Sequence, residues 1–197
     1  HVYVVAEYGK LAAGTTATRR GAKAVLIDGN IYVIGGYNED GYLNTVEVYN
    51  IKSNTWTTDE CMVEAKTGAA IATYGGKIYV FGGYNENGYL STIEEYDPTT
   101  NKWTKLEATM KTARKDLGAL TMSGKIYVFG GSNGGALSIV EEFNPETNEI
   151  KQMQHLGTSR SAFGAVVAYN RLFIVGGAAS DGRVLNTVEE YFTQAIP

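Results

Sequence analysis

The sequence predicts an all-β protein built from one short unit that is repeated along the chain. Apolar runs rich in Ile, Val, Tyr and Phe each end in a Gly-Gly pair, and they recur four times, beginning at Ile31, Ile78, Ile126 and Leu172. Their spacing of about 47 residues lies in the range of known structural repeats. A unit this short cannot bury an apolar face alone, so we expect the copies to pack on one another.

Two further motifs keep register with the apolar runs. A strand motif that contains Glu follows each Gly-Gly pair and ends in an aromatic residue: Tyr49, Tyr96, Phe143 and Tyr191. A little further on, the first three copies carry Trp56, Trp103 and Ile150. Each copy is therefore predicted to contain four antiparallel strands joined by Gly- and Pro-containing turns, as in residues 69–74, 77–81, 91–96 and 102–106.

The order of strand, Gly-Gly, polar loop, "VEEY"-type strand, a turn such as "DPTTNKW" and a new "GKIYV" resembles the Kelch repeat of β-propellers. The resemblance covers nearly the whole chain. It implies a single propeller domain over residues 1–197, in which the blades are four-stranded sheets of about residues 21–67, 68–115, 116–161 and 162–197.

The number of repeats leaves the closure of the propeller open. Kelch propellers have six or seven blades, whereas this chain carries four repeats. We expect a segment of a larger propeller, or one completed by a second copy, and the alternative is a small closed ring of four blades. Val4–Lys10 resembles a degenerate copy of the "VEEY" third strand of the repeat. Leu11–Thr18 lies where the outer strand of a blade is expected. Residues 1–20 are therefore assigned to another blade or to the closing of the last one.

Two residue types in the repeat are expected to be structural. Gly82 and Gly83 end an inner strand where chains approach closely, and a backbone with positive φ favours glycine there. Trp56 and Trp103 are large enough to fill the gap between neighbouring blades.

Composition excludes several classes of function. The formal charge of −4 and pI of about 5.3 argue against nucleic acid as a partner, because binding it requires a basic surface. With 44% hydrophobic residues we expect a folded, soluble chain. The apolar stretch 162–179 is interrupted by Asn170 and Arg171, so we interpret it as two strands and not as a membrane insertion.

The sequence predicts no metal or cofactor site. Cys61 is the only cysteine, and His1 and His155 are the only histidines, so neither an intrachain disulfide nor a Cys/His metal site of usual spacing can form. The Gly-Gly pairs lack the Lys-Ser/Thr and the following helix of a phosphate-binding loop. The sequence does not indicate a cellular compartment.

Polar loops on one face are the candidate binding site. One cation precedes each repeat in constant register: Arg19, Lys66, Arg114 and Arg160. The loops between second and third strands emerge on the same face and contribute Tyr37, Asn38, Tyr84, Asn85, Asn133 and Arg183. Tyr, Asn and Arg are enriched in recognition surfaces. The cations either contact a ligand or pair internally with the repeated Glu47, Glu94, Glu141 and Glu189.

The resemblance implies a non-catalytic binding module that presents these loops to a protein or peptide partner, for which the cations favour an acidic segment. The alternative is a carbohydrate-binding or sugar-modifying protein, because Kelch-like propellers include galactose oxidase and a sialic-acid epimerase. Copper ligands are lacking, and no Ser/His/Asp or paired-carboxylate constellation stands out. We therefore predict that the chain is not an enzyme.

Overall fold

A computed structural model of the protein describes residues 5–6, 10–11 and 14–193 of the 197-residue chain. Every regular element among these residues is a β-strand. The described residues contain no helix that is long and apolar enough to span a membrane. The same residues form four larger antiparallel sheets and three small two-stranded ones, which confirms the predicted all-β class.

The four larger sheets are the blades of a β-propeller, and we number them 1 to 4 in chain order. Blade 1 contains the strands Lys23–Ile27, Asn30–Ile34, Val46–Asn50 and Thr55–Asp59. Blade 2 contains Ala70–Tyr74, Lys77–Phe81, Thr92–Asp97 and Lys102–Thr109. Blade 3 contains Gly118–Met122, Lys125–Phe129, Val140–Asn144 and Glu149–Met153. The described strands of blade 4 are Gly164–Ala168, Arg171–Val175 and Val188–Tyr191.

Strands within a blade pair in chain order, so the first strand forms one edge of each sheet. In blades 1 and 2 the loop between the second and third strands is itself a small hairpin. Tyr37–Asn38 pairs with Gly41–Tyr42 in blade 1, and Tyr84–Asn85 pairs with Gly88–Tyr89 in blade 2. The repeated "YNE.GY" sequence therefore forms a short β-hairpin at the end of the blade.

The N-terminal assignment falls largely outside the described residues. Of residues 1–13, the structure describes only two short strands, Val5–Ala6 and Lys10–Leu11, which pair with each other. They do not pair with Val188–Tyr191 of blade 4. The prediction that residues 1–20 belong to another or the closing blade stays a prediction. Residues 14–20 lead into the first strand of blade 1.

The first strands line the propeller axis. A cavity of about 240 Å³ is bounded by the first strands of blades 1, 2 and 3, through residues 24–26, 71–73 and 119–121. Small side chains predominate here, since the first strands of successive blades converge. The second and third strands lie further from the axis and carry the larger apolar residues that fill the widening space between blades.

The second strands of blades 2 and 3 are buried on both faces because each of these blades has a blade on either side. In Lys77–Phe81, Ile78 and Val80 belong to the cluster between blades 1 and 2, whereas Tyr79 and Phe81 belong to the cluster between blades 2 and 3. Successive side chains of a strand point to opposite faces, so a two-sided environment requires a continuous apolar run. This is the physical reason for the repeated "IYVF" sequence.

Three apolar clusters hold the four blades together, one at each junction between consecutive blades. The third joins blades 3 and 4 through residues such as Phe129, Val140, Leu172 and Ile174. Among the described residues, no buried apolar cluster joins blade 4 to blade 1. The described residues thus show apolar packing between blades at three junctions.

Both tryptophans pack against the tyrosine that ends the neighbouring third strand. The ring centroids of Trp56 and Tyr49 are 5.1 Å apart, and those of Trp103 and Tyr96 are 4.9 Å apart. The indole N–H of Trp103 also donates to the carbonyl of Glu60, at 2.9 Å, and so ties blade 2 to the chain segment that leaves blade 1. Trp103 packs against the apolar cluster between blades 1 and 2, as the sequence predicts, whereas the ring contact of Trp56 lies within blade 1.

Candidate binding face

The cation that recurs in every repeat is buried. Each one pairs with the glutamate of the following blade: Arg19 with Glu47, Lys66 with Glu94, Arg114 with Glu141 and Arg160 with Glu189. The nitrogen–oxygen distance is 2.6 Å in the second and third pairs and 3.3 Å in the fourth. Of the two roles that the sequence leaves open for these cations, the structure shows the internal pairing, because the buried Glu47, Glu94 and Glu141 and the half-buried Glu189 each lie opposite one of them.

The buried pairs also fix the loops that join the blades. Glu94 accepts the backbone N–H of Val63 at 2.8 Å, and Glu141 accepts that of Lys111 at 2.6 Å. Arg114 further donates to the carbonyl of Thr112 at 2.9 Å. Burial lowers the pKa of Arg114, and the carboxylate of Glu141 opposes that shift. Each pair is thus a structural clamp on the loop that enters a blade.

The Gly-Gly pairs bring two sets of loops to one face of the propeller. The N–H of Gly83 donates to the carbonyl of Arg114 at 3.0 Å, so the end of the second strand of blade 2 touches the loop that enters blade 3. Gly82 and Gly83 both have positive φ, of 61° and 109°. A Cβ on Gly82 would lie 2.6 Å from the Arg114 carbonyl oxygen. The glycines are required by conformation and by close approach, as the sequence predicts.

The residue directly after each buried cation points outward. In extended backbone, neighbouring side chains lie on opposite sides. Arg20 and Lys115 therefore reach the surface beside the buried Arg19 and Arg114. The main chain at these positions pairs with the start of a loop between second and third strands, in the bridges Arg20–Tyr37, Thr67–Tyr84, Lys115–Ser132 and Ser161–Ala178.

A row of four tyrosines crosses the loops of blades 1 and 2. Tyr37 contacts Tyr42, and Tyr84 contacts Tyr89, each with ring centroids 5.1 Å apart and edge-to-face geometry. Tyr42 and Tyr84 connect the two hairpins across the blade junction, with centroids 6.1 Å apart. Edge-to-face contacts hold such rings in defined positions.

Two surface cations stack on this tyrosine row. The guanidinium carbon of Arg20 lies 5.0 Å from the ring centre of Tyr37, and the ammonium of Lys115 lies 5.1 Å from that of Tyr84. These distances fall within the range of cation–π attraction. Lys115 belongs to the loop that enters blade 3, so its side chain reaches back over blade 2.

The row and its cations surround an open cavity of about 460 Å³. Its lining comprises Arg20, Gly21, Tyr37, Tyr42, Thr67, Tyr84, Lys115 and Asp116. A second cavity of about 450 Å³ lies on the other side of Arg20 and Tyr37 and reaches Asn38 and Glu39. Concave surfaces with aromatic walls and a few charged groups are typical of ligand sites. We call the residues Arg20, Tyr37, Tyr42, Tyr84, Tyr89 and Lys115 the tyrosine face.

Comparison with known protein families agrees with this geometry. The family described as the KLHDC2/KLHL20/DRC7 Kelch-repeats domain matches residues 10–177 of the chain, which is most of its length. The chain belongs to the Kelch-repeat family. Kelch-repeat domains are in general non-catalytic binding scaffolds, and Kelch domains typically bind proteins.

The other residues that the sequence predicts for the binding loops, which are three asparagines and Arg183, differ in their exposure to solvent. Asn85 is buried, donates to the carbonyl of Ala65 at 3.0 Å and accepts from the N–H of Asn87 at 2.9 Å, so its amide shapes the hairpin. Asn38 accepts the N–H of Asp40 in the equivalent turn. Asn133 and Arg183 are exposed on the loops of blades 3 and 4. The tyrosine row does not extend to these two blades.

Neighbouring groups shift the pKa values of two side chains on these loops, Tyr42 and Asp181. Burial, the neighbouring Tyr84 and Tyr37, and the charge of Glu86 raise the pKa of Tyr42, so its hydroxyl stays protonated at neutral pH. On blade 4, hydrogen bonds from Arg183 lower the pKa of Asp181, and the two side chains pair at 2.6 Å. No group of side chains suited to hold a metal ion occurs in the described part of the chain.

The cations of the tyrosine face are not among the residues predicted from the sequence. Arg20 and Lys115 each follow directly on a residue that the repeat register singles out, Arg19 and Arg114. The register marks a residue that is cationic in all four repeats, and that property belongs to the buried clamp. The sequence did contain a signal for the surface cations, namely the position that directly follows each buried cation. This position varies between repeats: Arg20, Thr67, Lys115 and Ser161.

Proposed function

We propose that the chain is a non-catalytic binding scaffold whose tyrosine face holds an acidic segment of a protein partner. The observation that carries this proposal is the row of four tyrosines with a cation stacked near each end. Tyrosine supplies large contact area at small entropic cost, and Arg and Lys donate to carboxylates. The combination suits a peptide with alternating apolar and acidic side chains.

The charges of the tyrosine face support an acidic partner in spite of the overall charge of −4. Arg20 and Lys115 lie on the cavity wall, and the one acidic side chain in that wall, Asp116, is 3.9 Å from the ammonium of Lys115. The lining of this cavity thus carries two cations and one carboxylate. A carboxylate brought between Arg20 and Lys115 would contact both charges while its chain lies on the rings.

The experiment uses a fluorescently labelled octaglutamate peptide, with octaglutamine as the neutral comparison, and measures binding by anisotropy. We expect binding of octaglutamate that weakens as salt is raised, because the attraction is between partly exposed charges. Replacing Tyr84 or Lys115 by Ala should weaken it about tenfold, as expected for residues at the centre of an interface.

Two matched controls lie at the opposite end of the blades. Tyr169 is an exposed tyrosine in a turn between first and second strands, and Lys102 is an exposed lysine at the start of a fourth strand. Tyr169→Ala and Lys102→Ala should leave binding unchanged. Equal effects at both ends, or saturable binding of a sialylated glycan with none of the peptide, would contradict the proposal. The second result would favour the carbohydrate alternative.

A further inference from the structure

The outer face of blade 4 has the composition of a face between blades but is exposed. Val175 is 45% exposed, whereas the equivalent residues Phe81 and Phe129 are 0% exposed because the next blade covers them. Val188 is 62% exposed, and its equivalent in blade 3, Val140, is 0% exposed. Blades 2 and 3 serve as the comparison for blade 4, because at the same positions of the repeat the next blade covers this face.

A ladder of backbone hydrogen bonds near the axis also stops at this junction. The N–H of Gly68 donates to the carbonyl of Gly21 at 3.2 Å, that of Asp116 to Gly68 at 2.7 Å, and that of Ala162 to Asp116 at 2.9 Å. All four residues have positive φ and occupy the same place at the entrance of their blades. The ladder runs in one direction, from each blade to the one before it.

The two ends of the ladder are complementary. Within residues 14–193, neither the N–H of Gly21 nor the carbonyl of Ala162 has a backbone partner. One end therefore offers a donor and the other an acceptor. Val25 and Ile27 of the first strand pack between blades 1 and 2, so the alternate residue Leu26, which is 61% exposed, lies on the other face of blade 1. Gly21 and Ala162 are both exposed in the single chain, and a matching blade would pair these two backbone groups as the ladder does at the other junctions.

We propose that the outer face of blade 4 docks onto blade 1 of a second copy of this chain, head to tail. A second copy carries both complements: the Gly21 N–H for the Ala162 carbonyl, and the Leu26 side of blade 1 for Val175 and Val188. The contact repeats the packing that joins consecutive blades within the chain. Two such junctions between two copies would bring eight blades into one ring, a number within the range of known propellers.

The first test is the mass of the protein in solution. Sedimentation velocity should give twice the 21.3 kDa of one chain, with dissociation on dilution. Leu26→Asp and Val175→Asp each place a charge at one side of the junction, and each should give single chains that keep the β-sheet circular-dichroism spectrum, because both side chains are exposed in the single chain. Ile51→Asp, an equally exposed apolar residue outside both faces, should leave the mass at two chains.

Mixing the two variants tests the head-to-tail geometry. Leu26→Asp keeps an intact blade 4 face, and Val175→Asp keeps an intact blade 1, so an equimolar mixture should recover a species of two chains joined by one normal junction. A wild-type protein that stays a single chain at every concentration would overturn the proposal, whether blade 4 then meets its own blade 1 or another protein. Failure of the mixture to associate would also overturn it. Should Val175→Asp unfold, Val188→Asp replaces it.

Discussion

At the scale of single residues, adjacent positions in the loops between blades have opposite roles. Arg114 is buried against Glu141, and Lys115 next to it stacks on the surface ring of Tyr84. The buried position has to be a cation in every repeat because a glutamate lies opposite it. The exposed position is released from that requirement and varies between repeats. In a repeat protein, variation between copies thus marks the binding surface better than identity does.

The buried clamp should dominate stability at this scale. Replacing Arg114 by Met leaves the buried charge of Glu141 without its cationic partner, and we expect a loss of about 3–5 kcal/mol in the free energy of unfolding. Arg183→Met removes an exposed pair with Asp181 and should change it by less than about 1 kcal/mol. Urea unfolding measures both. Equal losses in the two variants would show that burial of the pair has no special weight.

Sequence reasoning at the residue scale succeeded for the repeated pairs and failed for the surface cations. Both outcomes that the sequence left open for Arg19, Lys66, Arg114 and Arg160 depended on which way the side chain points. That direction is set by alternation along an extended segment, and a shift of one residue exchanges the inside and the outside. The sequence of the loop does not define this register, whereas contact with the second strand does.

At the scale of elements, the second strand and its Gly-Gly end organise each blade. The apolar run was predictable because burial on both faces requires it, and the strand bounds agree to within a few residues. Gly82 is tightly enclosed: its Cβ would meet the Arg114 carbonyl at 2.6 Å and the Met110 side chain at 2.7 Å. Gly75, in the turn before the same strand, has similar positive φ but open space around it.

These two glycines separate conformational cost from steric cost. Gly75→Ala should destabilise the protein by about 1–2 kcal/mol, the cost of a left-handed conformation for a residue with a side chain. Gly82→Ala carries that cost and adds about 1–3 kcal/mol for overpacking. Thermal or urea unfolding of the two variants measures the difference. Identical stabilities would mean that the loop entering blade 3 moves aside without cost.

At the scale of the whole molecule, the four blades differ in the number of neighbours they have. Blades 2 and 3 are covered on both faces, whereas blade 4 is covered only by blade 3 among the described residues. The number of repeats in the sequence left two ways for the propeller ring to close. No single repeat determines how many copies complete the ring. Closure is a property of the angle between blades, and near-identical repeats are compatible with several numbers of them.

The unequal covering should be visible in amide hydrogen exchange. In dilute solution, where single chains prevail, we expect Lys77–Phe81 and Lys125–Phe129 to exchange much more slowly than Arg171–Val175, because repeat arrays open from their less covered ends. Raising the protein concentration should then slow exchange in blade 4 selectively. Uniform protection across the three strands at every concentration would show that blade 4 is covered as completely as blades 2 and 3.

The backbone ladder through Gly21, Gly68, Asp116 and Ala162 has one more consequence. Its bonds join main-chain atoms, so they are indifferent to the side chains carried by each copy, provided that a left-handed conformation is accessible at that point. Blade number is then an adjustable variable for protein engineering. A tandem duplication of residues 68–115 would lengthen the arc by one module and reuse a joint that already exists, instead of requiring a newly designed one.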